Sequence, residues 1–147
     1  MILVDTSGIL AALFPDQRRH AECAEALLRS TPPRVLSPFV LAELDYLILK
    51  FGGVETELLF LDEVARGVYE LPTFTANDIE QAHVIVERYK DLELGLADAS
   101  IVVLASRFGT RDLLTLDERH FRAVRPQPRR SFRILPADTP ESLARRF

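Results

Sequence analysis

The feature that most limits the fold is a repeated switch between very short apolar runs and longer stretches of helical periodicity. Ile2-Leu3-Val4 has no polar alternation, so both faces of that segment must be buried. Asp5-Thr6-Ser7-Gly8 ends it in a polar turn, and Ile9 to Phe14 reads as a short helix stopped by Pro15. The pattern recurs: a helix over 17–30, a strand over 34–36, a helix from Pro38 to Phe51 closed by Gly52-Gly53, and another over 54–66. Val68 to Leu71 reads as a third strand. Thr75 and Asp78 form a capping-box pattern ahead of a helix whose packed face is Ile79, Ala82, Val86 and Tyr89. Gly95 to Gly109 frames a helix apolar on every side over 101–105. Strands over 112–115 and 132–135 follow, separated by a helical turn over 117–121 and an arginine- and proline-rich loop over 122–130. Strands that alternate with helices predict an α/β fold, a parallel sheet covered by helices on both faces.

At 147 residues, 48% hydrophobic and 27% charged, with no repeat or linker, the chain is expected to form one domain over 1–147. Cys23 is the only cysteine, which excludes an internal disulfide and a paired-cysteine metal site and suits a reducing compartment. Asp5 interrupts the apolar start and no basic residue precedes it, so no signal peptide is expected; no later run is long enough to span a membrane. A cytoplasmic protein is expected. The net charge of −4 conceals a split, −9 over residues 1–98 and +5 over 99–147. Sixteen of the eighteen basic residues are arginine, which favours planar, bidentate phosphate contacts.

In a parallel sheet, ligands bind beyond the carboxyl ends of the strands. Asp5 and Asp117 stand there, although each taken alone is equally an N-cap; Thr6, Ser7 and Thr115 are equally turn formers. Asp98 opens the buried helix with Ile101, Val102 and Ala105 on its side. Glu43 breaks an apolar stripe of Phe39, Val40, Tyr46 and Leu47, and Asp45 does the same for its own neighbours, so spacing does not choose between them. Carboxylates converging on one crevice repel unless a cation sits among them. An oxygen-only donor set without cysteine suits Mg²⁺ or Mn²⁺, and such an ion supports phosphodiester hydrolysis.

Val4-Asp5-Thr6-Ser7, Ala42-Glu43-Leu44, Gly95-Leu96-Ala97-Asp98-Ala99 and Leu114-Thr115-Leu116-Asp117, in this order and at these separations, resemble the acidic signature of PIN-domain ribonucleases. More narrowly the chain resembles the VapC toxins of toxin–antitoxin pairs, and Arg119-His120-Phe121 also suits that group. The resemblance implies a PIN-like α/β/α sandwich of four to five strands in the order 3-2-1-4-5. It implies Asp5 and Asp98 as direct Mg²⁺ ligands, with Glu43 rather than Asp45, and Asp117, completing the pocket directly or through water. It implies that Thr6, Ser7 or Thr115 orients a water held by the metal. It further implies a homodimeric endoribonuclease that cuts structured RNA such as tRNA or rRNA to stop translation, restrained by a VapB-type antitoxin.

RNA would need positive charge beside the acids, and the candidates are the arginines from Arg107 to Arg133, first among them Arg107, Arg111, Arg119 and Arg122. His20 falls in an ordinary helix and His83 on a packed face; His120, three residues after Asp117, keeps a minor role beside the site. A receiver domain would need a lysine after a late strand, and none follows Lys90. A haloacid-dehalogenase-type phosphatase would need Asp-x-Asp where this chain has Asp5-Thr6-Ser7, and no glycine-rich nucleotide loop occurs. The competing reading from another class is a catalytically silent PIN-like module that binds RNA or a partner.

Overall fold

The structure, a computed structural model, describes residues 1–146; Phe147, the last residue of the expected domain, lies outside the described residues. Four strands, β1 (Ile2–Val4), β2 (Arg34–Leu36), β3 (Asp112–Leu114) and β4 (Arg133–Leu135), form one parallel sheet in the order β2-β1-β3-β4. Consecutive strand residues face opposite sides, and all three residues of β1 are buried, so the sheet is covered on both faces. Leu3 pairs with Val35 on one side and with Leu113 on the other, which puts β1 at the centre.

The expected third strand is reduced to one residue. Glu70 bridges Val35, its N–H donating to Arg34 O and its carbonyl accepting from Leu36 N, both at 2.8 Å. The strand order expected from the resemblance is therefore kept in space, but Val68–Leu71 supplies a bridge rather than a strand. Val68 and Leu71 are exposed and only Tyr69 is buried, so the segment lacks the doubly covered character of β1.

The helices are α1 (Thr6–Leu13), α2 (His20–Arg29), α3 (Pro38–Ala65), α4 (Ala76–Arg88), α5 (Leu96–Phe108), α6 (Glu118–Ala123) and α7 (Pro140–Ala144). The expected polar turn after β1 is instead the first turn of α1. Gly8 explains how it fits: a Cβ there would stand 2.5 Å from Leu114 O, so the helix can press against β3 only without a side chain. Helix α3 starts at Ser37, whose hydroxyl accepts from Phe39 N, and breaks at Gly53, where φ is 78°. The two helices expected there are thus two arms joined at a glycine.

Helix α4 begins with the expected capping box, Thr75 and Asp78 bonding reciprocally. Its packed face keeps the expected Ala82, Val86 and Tyr89 and departs from expectation at Ile79. Asp78 turns inward to meet Arg107, so Asp78 and Ala82 are buried while Ile79 and His83 are exposed. Helix α5 runs through the core with residues 99 to 105 buried. The C-terminal α7, capped by Thr139, lies in a stretch where the sequence signalled no element.

Candidate active site

Three helices start where the acids lie. Asp5 follows β1 and occupies the N-cap position of α1, but its side chain caps nothing; Asp98 is in the first turn of α5; Asp117 is the N-cap of α6 and accepts from His120 N at 3.1 Å. Helix N-termini carry partial positive charge, which offsets part of the repulsion among the acids. The capping and functional readings of these aspartates therefore separate at Asp5 and coincide at Asp117.

Asp5 is buried, and its Oδ2 accepts from Thr115 Oγ1 at 2.7 Å and Ser7 Oγ at 3.2 Å. The two hydroxyls are 3.1 Å apart, Ser7 Oγ accepts from Leu116 N at 2.9 Å, and Thr115 Oγ1 accepts from Asp117 N at 3.0 Å. This network ties the end of β1 to the turn after β3. Burial lifts the Asp5 carboxyl to about 6; the Thr115 hydroxyl opposes the rise and the negative charge of Asp98 adds to it. Burial also raises Asp98, the charge of His120 opposes it, and Asp117 and then Glu43 push it further up. All four expected acids thus belong to one coupled cluster.

Glu43 lies on the exposed side of α3, not within the apolar stripe, and its Oε1 accepts from Thr6 Oγ1 at 3.0 Å. Asp45 instead meets Glu57 across the glycine break, and a hydrogen bond between the two carboxyls raises that of Glu57. The hydroxyls of Thr6, Ser7 and Thr115 hold the carboxylates themselves. His120 is more central than the sequence suggested: its Nδ1 lies 2.9 Å from Asp98 Oδ2 and 3.0 Å from Asp117 Oδ2. When both carboxyls are ionised, a proton on Nδ1 bonds them both. The signal for it was the i+3 spacing from Asp117, which puts both side chains on one side of α6.

Asp98, Asp117 and His120 each present a ligand atom within 4.8 Å of the others. Crowded carboxylates, with burial raising Asp5 and Asp98, make a largely oxygen donor set that fits a hard divalent cation. Of the four arginines singled out by sequence, Arg107 bonds Asp78 and Thr73 O, Arg111 bonds Ser131 O, and Arg122 grips Glu118 and Asp138. Arg119 is exposed on α6 beside the cluster and has no side-chain partner among the described residues.

The family model for the PIN domain matches residues 2–126. The chain belongs to the PIN domain family. This PIN domain is 45% identical over 135 residues to Ribonuclease VapC26 of Mycobacterium tuberculosis, covering 92% of this chain and all of that protein, which puts it in the VapC ribonuclease branch. Its fold is shared with the crystal structure of VapC20 of M. tuberculosis, a Sarcin–Ricin loop cleaving toxin. That match has a TM-score of 0.74 at 23% identity, over 81% of this chain and 92% of that one. A toxin–antitoxin complex from Klebsiella pneumoniae matches with a TM-score of 0.65 at 24% identity, over 86% of this PIN domain and 98% of that chain. The sheet order and its flanking helices are those of the PIN fold.

Proposed function

We propose that this VapC-branch PIN domain is a Mg²⁺-dependent endoribonuclease, Mn²⁺ substituting, that cuts a structured RNA such as tRNA or rRNA to inhibit translation. The observation that carries this is the coupled cluster of Asp5, Glu43, Asp98 and Asp117 at the carboxyl edge of β1 and β3. Asp5 and Asp98 would hold the ion directly, and Glu43 and Asp117 directly or through water. When bound, it supplies the positive charge that activates a water for attack on phosphorus and neutralises charge building on the phosphoryl oxygens. Thr115 and Ser7 keep Asp5 oriented, Thr6 holds Glu43 toward the cluster, and His120 fixes the spacing of Asp98 and Asp117. Arg119 is the sequence candidate left free to meet a phosphate.

The partner reading is a VapB-type antitoxin, supported by the branch to which the chain belongs. A homodimer is supported by the apolar residues that α3 leaves exposed on both sides of Gly53, among them Tyr46, Phe51, Leu58 and Leu59. A cytoplasmic location is supported by the single buried cysteine; no helix of the described residues is long and apolar enough to cross a membrane. One domain over 1–147 fits the one principal apolar core.

The test is sequencing of new RNA 5′ ends after brief expression in a bacterial host, wild type against Asp98→Asn. A sharp cut at one position, absent from the variant, is expected. Identical end maps from two folded proteins would leave the silent-module reading in its place.

A further inference from the structure

A cleft of about 530 Å³ lies between α4, α5 and the loop over 124–130. Its floor is apolar, with Ile85, Val102 and Val103, and Val84 stands exposed at its edge. Arg88 and Arg125 line it and no aspartate or glutamate does. The clefts along α2 and α7 and the one beneath Leu28 each contain at least one carboxylate, in a chain of net charge −4. The Arg88 side chain has no partner among the described residues, and the Arg125 guanidinium meets only the backbone carbonyls of Arg122 and Val124. The loop is held in place by Tyr89, whose hydroxyl accepts from Arg125 N at 3.2 Å. Arg129 and Arg130 extend the positive surface along the same loop.

Two elements run from the acidic cluster to the cleft. Helix α5 carries Asp98 in its first turn and Val102 in its second, about 6 Å further along the axis at 1.5 Å per residue. Helix α6 leaves the cluster at Asp117 and delivers the chain to Val124 and Arg125. A single RNA strand presents alternating anionic phosphates and flat apolar bases, and cation-rimmed apolar grooves bind it. We propose that this cleft is a second RNA subsite, taking an unstacked base on the valine floor with its flanking phosphates on Arg88 and Arg125. It rests on the ribonuclease reading above and extends it to nucleotides beyond the cut bond.

The test measures fluorescence anisotropy of a short labelled oligouridylate with the full chain carrying Asp98→Asn, with and without Arg88→Ala and Arg125→Ala together. The control pair is Arg29→Ala with Arg145→Ala, which removes the same charge from another cleft. Loss of at least about tenfold in affinity is expected for the groove pair only. The slope of log affinity against log salt should fall by about 1.4, two phosphates of a single strand. Equal losses in both pairs would mean diffuse charge attraction and overturn the subsite, as would an unchanged affinity or no binding of the probe by the parent. If affinity is unchanged and light scattering shows a lower mass for the groove pair, the occupant is a second copy of the chain. A cleavage map lost with Asp98→Asn but an unaltered affinity sinks the cleft alone, whereas identical maps sink the nuclease reading whatever the probe shows.

Discussion

At the scale of single residues, the buried Asp5 carboxylate is the point of greatest electrostatic cost. Its folded value near 6 stands above the ordinary 3.8, so between those values the folded state holds a proton that the unfolded chain has released. Stability therefore falls as pH rises from about 4 to about 6, and above that the charged group costs up to about 3 kcal/mol in metal-free protein. Asp5→Asn should raise the urea midpoint at pH 7.5 in chelator, and the gain should vanish at pH 3.5. Equal gains at both values would show that the effect is not electrostatic. Mn²⁺ should raise the Tm of the wild type more at pH 7.5 than at pH 5, because the ion must displace that proton; calorimetry at both values checks it. Asp5, Asp98 and Asp117 were legible as candidates because each ends a strand or opens a buried helix, whereas spacing left Glu43 level with Asp45 and Glu43 lies on the exposed side of α3. The role of His120 was not legible, since its partner Asp98 lies 22 positions away. On α4 only the first turn was misread, because Asp78 rather than Ile79 turns inward, toward Arg107.

Among the elements, the contact of α1 with β3 decides the site, since it brings Ser7 to Thr115 and both to Asp5. Gly8→Ala would push a methyl into Leu114 O, which is backbone and cannot swing aside. Overpacking of this kind costs about 1–3 kcal/mol, so a lower urea midpoint is expected, along with a weaker Mn²⁺ response. A variant as stable as wild type would show that α1 moves off β3 freely. The strands of the sheet were readable from apolar runs bounded by polar turns, and α5 from its uninterrupted apolar character. The weakness of Val68–Leu71 was not readable, because an apolar run does not reveal that just one of its residues, Glu70, will pair with a neighbour. Thr6-Ser7-Gly8 looks like a turn by composition, yet packing against β3 makes it helix.

For the whole molecule, the exposed apolar side of α3 is the outstanding feature, with Leu59 69% and Tyr46 64% exposed. Covering it by a second copy predicts a dimer mass in light scattering, reduced to the monomer by Leu58→Glu with Leu59→Glu; a wild-type monomer would refute this. The sheet order has a consequence for the timing of synthesis. Because β3 lies between β1 and β4, the strand beside Asp5 is made more than a hundred residues after it, and Asp117 later still. A chain still growing on the ribosome carries Asp5, Glu43 and eventually Asp98, but not the β3 turn that supplies Thr115, Asp117 and His120. A nascent chain that has reached Asp98 therefore still lacks the β3 turn that closes the acidic cluster around Asp5.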